Sequence, residues 1–272
     1  MKYALASGHR AEAFVGGRGI CPTCNGEVIA KCGSHRIPHW AHQGIRDCDS
    51  WAEKETEWHR AWKNKFPAEC QEFIQHDEKT AERHIADVRT HHGLVIEFQH
   101  SHLDPNERAA RERFYGNMLW VVDGTRLQRD YPRFLKGKDG LRRTGAQGYF
   151  LLASPDECFP MMWLDSSVPV IFDFRGIDES QSPDVFRDTL WCLLPGRAEG
   201  NAVIVGMSRE QFVQVAPSRP QLLPVSDNMA VFAQHIRESR AAENALEAQQ
   251  RHRRFSGMPG GMVPRRRRSP RF

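Results

Sequence analysis

The pattern of apolar and polar residues is most informative between residues 84 and 99. Two runs rich in apolar and β-branched residues flank His91-His92-Gly93, and glycine at the third loop position is typical of a three-residue hairpin turn. With that loop, the predicted cross-strand pairs are Thr90–Leu94, Val88–Ile96 and Asp87–Glu97. Directly opposed residues have Cβ atoms about 4.5–5.5 Å apart. The pattern therefore predicts two carboxylates facing each other across a hairpin.

Two carboxylates at that separation repel each other, and both stay ionised only when a cation lies between them. In the second strand Glu97 and Gln99 share one face, while Ile96 and Phe98 share the other and anchor the strand. A surface hairpin whose polar face meets water is the alternative. The flanking residues are apolar on both faces of both strands, as in a covered central sheet, so we expect a divalent-metal site.

A helix is predicted to precede this hairpin. Ser50-Trp51-Ala52-Glu53 has the pattern of a capping box, and Phe66-Pro67 ends the helix after Lys63. Glu55, His59 and Lys63 would then stack one turn apart, beside a packing face formed by Trp58 and Trp62. A solvated Glu–His–Lys edge is the alternative to a helix face that borders a metal site.

The following segments complete an ordered series of elements. A strand is predicted at 69–75, the hairpin strands follow, a second helix begins at Asp104-Pro105, and an apolar strand covers 118–123. The predicted order is helix, strand, strand, strand, helix, strand. Further strands are predicted at 148–153, 161–164 and 168–174, apolar segments of undecided type at 186–194 and 203–205, and a helix at 230–250.

Composition narrows the class of protein. The 272 residues are 40% hydrophobic and 26% charged, with a formal net charge of +4, which is ordinary for a soluble globular protein. No apolar run approaches the about 18 residues of a membrane span, and the first residues do not resemble a signal peptide. Seven cysteines, four of them between Cys21 and Cys48, favour a reducing compartment and a metal site over disulfides. We expect a cytoplasmic protein.

The N-terminal cysteines have the spacing of a zinc knuckle. Cys21-Pro22-Thr23-Cys24 brings two thiols together, and His39, His42 and Cys48 supply candidates for two more ligands. Thiolate and imidazole ligands together select zinc over magnesium. A redox Cys-x-x-Cys is the alternative, but the βαβ setting of such a motif is not visible here. Which four of the five residues bind zinc stays open, and Cys32 is the least favoured ligand.

Five short motifs, taken together and in order, resemble the competence protein CoiA-like family of the PD-(D/E)xK nuclease superfamily. They are His39-Trp40-Ala41-His42, Glu55-Thr56-Glu57-Trp58-His59, Ala86-Asp87-Val88, Ile96-Glu97-Phe98-Gln99-His100-Ser101, and Arg111…Tyr115…Leu119-Trp120-Val121. The resemblance covers about residues 15–123. It implies an α/β fold with a restriction-endonuclease-like αβββαβ core, joined to an N-terminal zinc-ribbon-like module.

The resemblance also implies roles for particular residues. Asp87 and Glu97 would bind a catalytic Mg²⁺ or Mn²⁺ ion, Glu55 would hold a metal or its water, and Gln99 takes the position of the superfamily's lysine. Glutamine can orient a water molecule but brings no positive charge. His59 is a candidate helper, and Arg108, Arg111 and Lys63 are expected to bind nucleic acid.

The chain is thus expected to divide into five parts. They are a zinc-binding module (1–49), a nuclease core (50–125), a sheet and helix extension of unknown role (126–230), a helix (231–250), and a disordered Arg-rich tail (251–272). The Arg265–Arg268 cluster in that tail would add non-specific attraction to nucleic acid.

The expected function is a metal-dependent DNA endonuclease, acting in DNA uptake and recombination or in phage defence. The first alternative is a non-catalytic DNA-binding or recombination-accessory protein on a degenerate nuclease scaffold, which the glutamine at position 99 favours. Another is a defence nuclease that needs a partner such as a helicase. A zinc protease and an NTPase are excluded, because the chain lacks His-Glu-x-x-His and a phosphate-binding Gly-Lys loop.

Overall fold

Two β-sheets and six α-helices form the described part of the chain. The structure, a computed structural model, describes residues 1–44, 48–78, 81–177 and 182–256, without the side chains of 226–228, 243 and 251–256. Most of the predicted disordered tail lies outside the described residues. Its first part, up to Ser256, is the end of a long helix. No helix in the described ranges is both long enough and apolar enough to cross a membrane.

The N-terminal sheet has five antiparallel strands in the order β2-β1-β3-β4-β5. Their bounds are β1 Tyr3–Ala6, β2 His9–Glu12, β3 Arg18–Ile20, β4 Glu27–Lys31 and β5 His39–His42. Ala4, Cys21, Val28 and Trp40 form its small buried core. A core this small contributes little burial energy, so the sheet depends on other interactions for its stability.

The large sheet has nine strands in the order β10-β11-β14-β13-β12-β9-β8-β7-β6. Their bounds are β6 Gln71–His76, β7 Arg83–Arg89, β8 Val95–Gln99, β9 Met118–Asp123, β10 Arg142–Arg143, β11 Tyr149–Leu152, β12 Val170–Asp173, β13 Leu190–Leu193 and β14 Ala202–Met207. The helices are α1 Glu57–Lys63, α2 Pro105–Tyr115, α3 Asp130–Gly137, α4 Val185–Asp188, α5 Arg209–Val215 and α6 Val225–Ser256.

The predicted element order is confirmed between α1 and β9. The chain runs α1, β6, β7, β8, α2, β9, and the hairpin pairs Val88 with Ile96 as the sequence pattern predicts. Strands β8 and β9 are parallel because α2 carries the chain back across the sheet. Strands β9 and β12 are also parallel. Three neighbouring strands therefore finish on the same side of the sheet, and their last residues are Gln99, Asp123 and Asp173.

Each face of the large sheet is covered by its own core. Trp58 and Trp62 of α1 pack with Ile96 and Phe98 in one buried cluster. Tyr115 of α2 belongs to the second cluster, which contains Val95 and Trp120 of the sheet. The alternation of apolar residues in β8 thus fixes α1 and α2 to opposite faces.

The first helix begins later than predicted. Its N-cap is Thr56, whose hydroxyl accepts from the His59 backbone, while the His59 ring accepts from the Thr56 N–H. The predicted start at Ser50 is wrong because Asp49 uses its carboxylate for the Trp51 and Ile85 amides, which holds this segment against β7. Consequently Glu53 and Glu55 lie in an extended lead-in to α1.

The strand predicted at 161–164 is also wrong. Residues Met161–Trp163 form a 3₁₀ turn, because Pro160 precedes it and the Arg108 side chain donates to the carbonyls of Met162 and Asp165. The strands predicted around 148–153 and 168–174 are confirmed as β11 and β12.

A fully buried carboxylate ties α1 to the end of β12. Asp173 accepts hydrogen bonds from the indoles of Trp58 and Trp62, each at 3.0 Å, and pairs with Arg209. Its 0% exposure means that each of these donors replaces a lost water contact.

Replacing Asp173 should therefore destabilise the fold. Asp173→Ala leaves two indole donors and a guanidinium without their acceptor, so we expect a loss of about 3–5 kcal/mol in the free energy of unfolding. Urea unfolding followed by tryptophan fluorescence measures it. The exposed Asp156→Ala serves as the control, and equal stability of the two variants would contradict this account.

Candidate functional site

The backbone ladder between β7 and β8 stops at Asp87 and Glu97. The hairpin closes with a bond from the Thr90 amide to the Leu94 carbonyl, and regular pairing continues to Val88 and Ile96. Beyond that point, side-chain carboxylates replace main-chain carbonyls as the hydrogen-bond acceptors between the two strands. The Asp87 amide donates to Glu97 Oε1 at 3.1 Å, and the Phe98 amide donates to Asp87 Oδ2 at 3.0 Å. We call this position, formed by Asp87 and Glu97, the fork.

The structure thus brings the two predicted carboxylates together, each bonded to the other's strand. Burial and then the charge of Asp87 raise the pKa of Glu97 to about 8. Burial also raises the pKa of Asp87, although Lys63 and His59 oppose the shift. Both pKa shifts mean that the protein environment disfavours the state in which Asp87 and Glu97 are ionised together. A cation bound at the fork would reverse that preference.

Two buried cations approach the fork from opposite faces of the sheet. Arg111 of α2 places Nη1 3.4 Å from Glu97 Oε2, and Lys63 of α1 places Nζ 3.8 Å from Asp87 Oδ1. The side chain of Asp87 is 24% exposed, whereas that of Glu97 is 7% exposed. Asp87 is therefore the side of the fork that a ligand from solvent can reach.

Lys63 is the centre of an acidic cluster. Its ammonium lies 2.7 Å from Glu55 and 3.1 Å from Glu72, in addition to its contact with Asp87. Burial alone would lower the pKa of Lys63, but the three carboxylates outweigh it and raise the pKa. The lysine stays charged, so it supplies beside Asp87 the positive charge that Gln99 cannot.

Glu55 does not hold an open position for a metal. Both of its oxygens accept from Arg60, at 2.9 and 2.7 Å, and one also pairs with Lys63. Burial would raise the pKa of Glu55, but Arg60 and Lys63 lower it to about 2. The prediction that Glu55 binds a metal thus finds no support, because its carboxylate is already neutralised by protein cations.

Glu53 is the acid that sequence reasoning missed. Gln99, 2% exposed, donates its amide to Glu53 Oε1 and to the Ser101 carbonyl. Glu53 Oε2 is buried and has no hydrogen-bond partner among the described residues, and His59 Nε2 lies 3.8 Å from it. The sequence pattern assigned Glu53 to a helix cap that begins at Ser50, and the structure does not form that cap.

The three cations predicted to bind nucleic acid are buried. Arg108 is 6%, Arg111 4% and Lys63 3% exposed. Arg108 donates to the carbonyls of Met162 and Asp165, and Arg111 donates to the Trp51 carbonyl at 2.7 Å and to Glu107. Their burial and their bonds to protein acceptors indicate that these side chains stabilise the site. They are poorly placed to contact a phosphate directly.

A second site lies in the N-terminal sheet. Cys21 and Cys24 flank the turn between β3 and β4, which is closed by bonds from the Cys21 amide to Gly26 and from the Asn25 amide to Cys21. Asn25 adopts φ 57°, a left-handed conformation that asparagine tolerates. The amides of Thr23 and Gly26 each point to a cysteine sulfur at 3.4 Å.

Four side chains converge at this turn. One ligand atom from each of Cys21, Cys24, His42 and Cys48 lies within 4.8 Å of the others. The Cys21 and Cys48 sulfurs are 3.7 Å apart, and Cys24 Sγ is 3.3 Å from His42 Nε2. These spacings suit a tetrahedral ion with bonds of about 2.0–2.3 Å. This Cys₃His group, which we call the cysteine cluster, could hold a zinc ion.

The structure selects among the five predicted ligands. His39 and His42 are three residues apart in β5, so their side chains point to opposite faces. His39 Nδ1 instead lies 2.9 Å from the Ile37 carbonyl. Burial and the neighbouring thiols Cys21 and Cys24 raise the pKa of Cys48 to about 12, so its deprotonation requires a nearby cation.

The cysteine cluster lies in a segment with a recognised counterpart. Residues 16–50 match the family model for the N-terminal domain of competence protein CoiA. This segment is similar to that domain, and we refer to residues 16–50 as the CoiA-type domain. This match supports the CoiA-like resemblance read from the sequence, and it includes all four members of the cysteine cluster. Searches of curated proteins and of solved structures found no match to the chain.

The CoiA-type domain provides a test of the ligand set. We expect His42→Ala protein to lose bound zinc and His39→Ala protein to keep about one ion per chain, because only His42 faces the thiols. Metal content measured by mass spectrometry after gel filtration decides this. Cys24→Ser and Cys32→Ser form a second matched pair, and zinc loss from His39→Ala equal to that from His42→Ala would contradict the assignment.

The raised pKa of Glu97 predicts how the free energy of unfolding depends on pH when no Mg²⁺ or Mn²⁺ is present. The pKa of Glu97 is raised to about 8 in the folded protein, above its ordinary value of 4.5, so the unfolded chain releases this proton first. The free energy of unfolding should therefore fall between about pH 5 and pH 8, by roughly 1.4 kcal/mol for each unit of raised pKa. Urea unfolding with zinc retained measures this.

Glu97→Gln should remove much of that fall, because glutamine does not titrate. The exposed Glu78→Gln is the matched control and should keep the wild-type slope. A Glu97→Gln protein whose stability falls as steeply as the wild type would show that the carboxyl at position 97 is not the titrating group.

Proposed function

We propose that the protein is a divalent-metal-dependent phosphodiester hydrolase acting on DNA, with the fork as its catalytic centre. The observation that carries this proposal is the pair of carboxylates, buried Glu97 and half-buried Asp87, held together where the ladder ends. Protein folds rarely maintain such a pair without a cation, since each carboxylate disfavours ionisation of the other. The CoiA-type N-terminal domain supports a link to DNA uptake.

The residues of the fork fit a hard cation. Asp87 and Glu97 would hold Mg²⁺ or Mn²⁺ through carboxylate oxygens, the ligands these ions prefer. Within the described ranges, the cysteine cluster alone brings three or more ligand atoms within 4.8 Å. Two carboxylates suffice here, because Mg²⁺ commonly keeps several water ligands. When bound, the metal would lower the pKa of water and neutralise charge on the phosphate.

The surrounding side chains prepare the site for an anionic substrate. The ammonium of Lys63, 3.8 Å from Asp87 Oδ1, adds a fixed positive charge in a buried position where it is weakly screened. Gln99 is held by its bonds to Glu53 and Ser101, and it fixes the orientation of Glu53. These groups position and stabilise charge, and none of them has to move.

We propose in addition that the CoiA-type domain binds a structural zinc ion. Four protein ligands would close the coordination sphere, which is typical of structural sites and leaves no position for substrate. Zinc would then supply the stability that the small core of this sheet cannot.

A non-catalytic DNA-binding role is the second candidate. It is favoured by Lys63 and Arg111, which already contact Asp87 and Glu97 and so reduce the need for a bound metal. In that case the acidic cluster would be a buried ion-pair network that shapes the domain.

Cleavage assays separate the two functions. Asp87→Asn and Glu97→Gln should each lower Mg²⁺- or Mn²⁺-dependent cleavage of labelled DNA by about 10²-fold or more, because each removes a charge required in the transition state. Single- and double-stranded substrates are compared, with Asp156→Asn as the surface control. Folding is checked by circular dichroism, since loss of a buried charge also affects stability.

Binding measured in parallel identifies the alternative. Metal-independent DNA binding by the wild type, with no cleavage and no heat of Mn²⁺ binding in calorimetry, would favour the non-catalytic role. Cleavage that survives both substitutions would overturn the assignment of the fork.

A further inference from the structure

A histidine and an aspartate form a pair at the carboxyl edge of the sheet, beside the fork. His100 directly follows β8, and Asp123 is the last residue of β9. His100 Nδ1 lies 2.7 Å from Asp123 Oδ2. The other oxygen of Asp123 accepts from the amide and hydroxyl of Thr125, at 2.9 and 2.6 Å. Asp123 is 5% exposed and is thereby fixed in orientation.

This contact fixes the proton on the His100 ring. A carboxylate only accepts hydrogen bonds, so Nδ1 of His100 carries the hydrogen and Nε2 presents a lone pair in the neutral ring. One third of the His100 side chain is exposed, at 33%. His59 has the opposite arrangement, since its Nδ1 lies 3.4 Å from the donating Thr56 amide and its Nε2 carries the hydrogen toward Glu53.

His100 lies next to the groups that border the fork. Its ring centroid is 6.0 Å from that of His59 and 6.4 Å from that of Trp58. His59 lies one turn before Lys63 on α1, and Lys63 Nζ is 3.8 Å from Asp87 Oδ1 of the fork. Among the described residues, the titratable groups that face the His100 ring are Asp123 of β9 and His59 of α1.

Three of the side chains around the fork are poor proton acceptors. Lys63 is held charged by three carboxylates, and Glu55 is bonded on both oxygens by Arg60 and Lys63. Gln99 has no basic atom. A hydrolytic site still needs a group that takes the proton from the attacking water.

We propose that His100 is the general base of the reaction and that Asp123 is its positioning residue; this rests on the proposed function. A water O–H bond breaks and its proton moves to Nε2 of His100. The water oxygen forms the new bond to phosphorus, and the bond from phosphorus to the leaving sugar oxygen breaks. The leaving oxygen takes its proton from solvent, so atoms and charge balance.

Single-turnover cleavage over a range of pH tests the proposal on the full chain with zinc and Mn²⁺ present. His100→Asn should lower the rate by about 10²–10⁴-fold and remove the inflection at the acidic limb of the profile. Asp123→Asn should lower the rate less, because the ring stays in place but loses the carboxylate that fixes its tautomer and orientation. His102→Asn, two residues further along and exposed, should behave as wild type.

A substrate with a sulfur leaving group distinguishes a base from an acid. A thiolate leaves without protonation, so it would rescue a variant that lacks a general acid but not one that lacks a general base. We expect no rescue of His100→Asn. Rescue to within a few-fold of wild type would overturn the base role.

Nuclear magnetic resonance of the ring nitrogens provides a readout that does not depend on activity. We expect the neutral His100 ring in the wild type to carry its hydrogen on Nδ1, and Asp123→Asn to shift the tautomer balance. A wild type with the hydrogen on Nε2 would contradict the proposal.

Failure of the two proposals can be told apart. Asp87→Asn losing cleavage while His100→Asn keeps the wild-type pH profile would overturn the role of His100 alone. A wild type that does not cleave any tested DNA would overturn the proposed function, and the catalytic role of His100 with it.

Discussion

The site depends on the point at which a β-ladder stops. In a regular antiparallel pair the amides of Asp87 and Phe98 would bond to main-chain carbonyls, but here they donate to the carboxylates of Glu97 and Asp87. Each acid is therefore fixed by a bond to the strand opposite, and the two charges are held close together. The satisfied amides stabilise the arrangement, and the repulsion between the two carboxylates disfavours their joint ionisation unless a cation is close by.

Protein cations balance part of that charge, one from each layer of helices. Lys63 reaches Asp87 from α1, and Arg111 reaches Glu97 from α2. The helices are placed on opposite faces by the apolar residues of β8, so packing and electrostatics act through the same strand. Removing either cation would leave a buried carboxylate without compensation, which costs more than the pair contributes.

The local features of this arrangement were predictable, and the distant ones were not. The hairpin register and the element order follow from β-branched runs, a glycine turn and a proline helix start, all of which act within a few residues. The true helix start was missed because the capping box Thr56–His59 uses a histidine where glutamate or glutamine is usual. The misplaced start also put Glu53 in the predicted helix cap, whereas the role expected for Glu55 came from the family resemblance. The partners of Lys63 come from three separate segments, and no spacing rule connects them.

A further long-range contact joins the N-terminal sheet to the fork. Glu72, with φ 46°, turns its carboxylate to accept the amides of Lys2 and Tyr3, at 2.6 and 3.0 Å. The same carboxylate binds Lys63, which in turn contacts Asp87. Burial would raise the pKa of Glu72, but Lys63 outweighs it and lowers the pKa, so the carboxylate stays ionised. The first strand of the N-terminal sheet therefore helps to hold Lys63 in place, and the position of the positive charge beside Asp87 depends on both sheets.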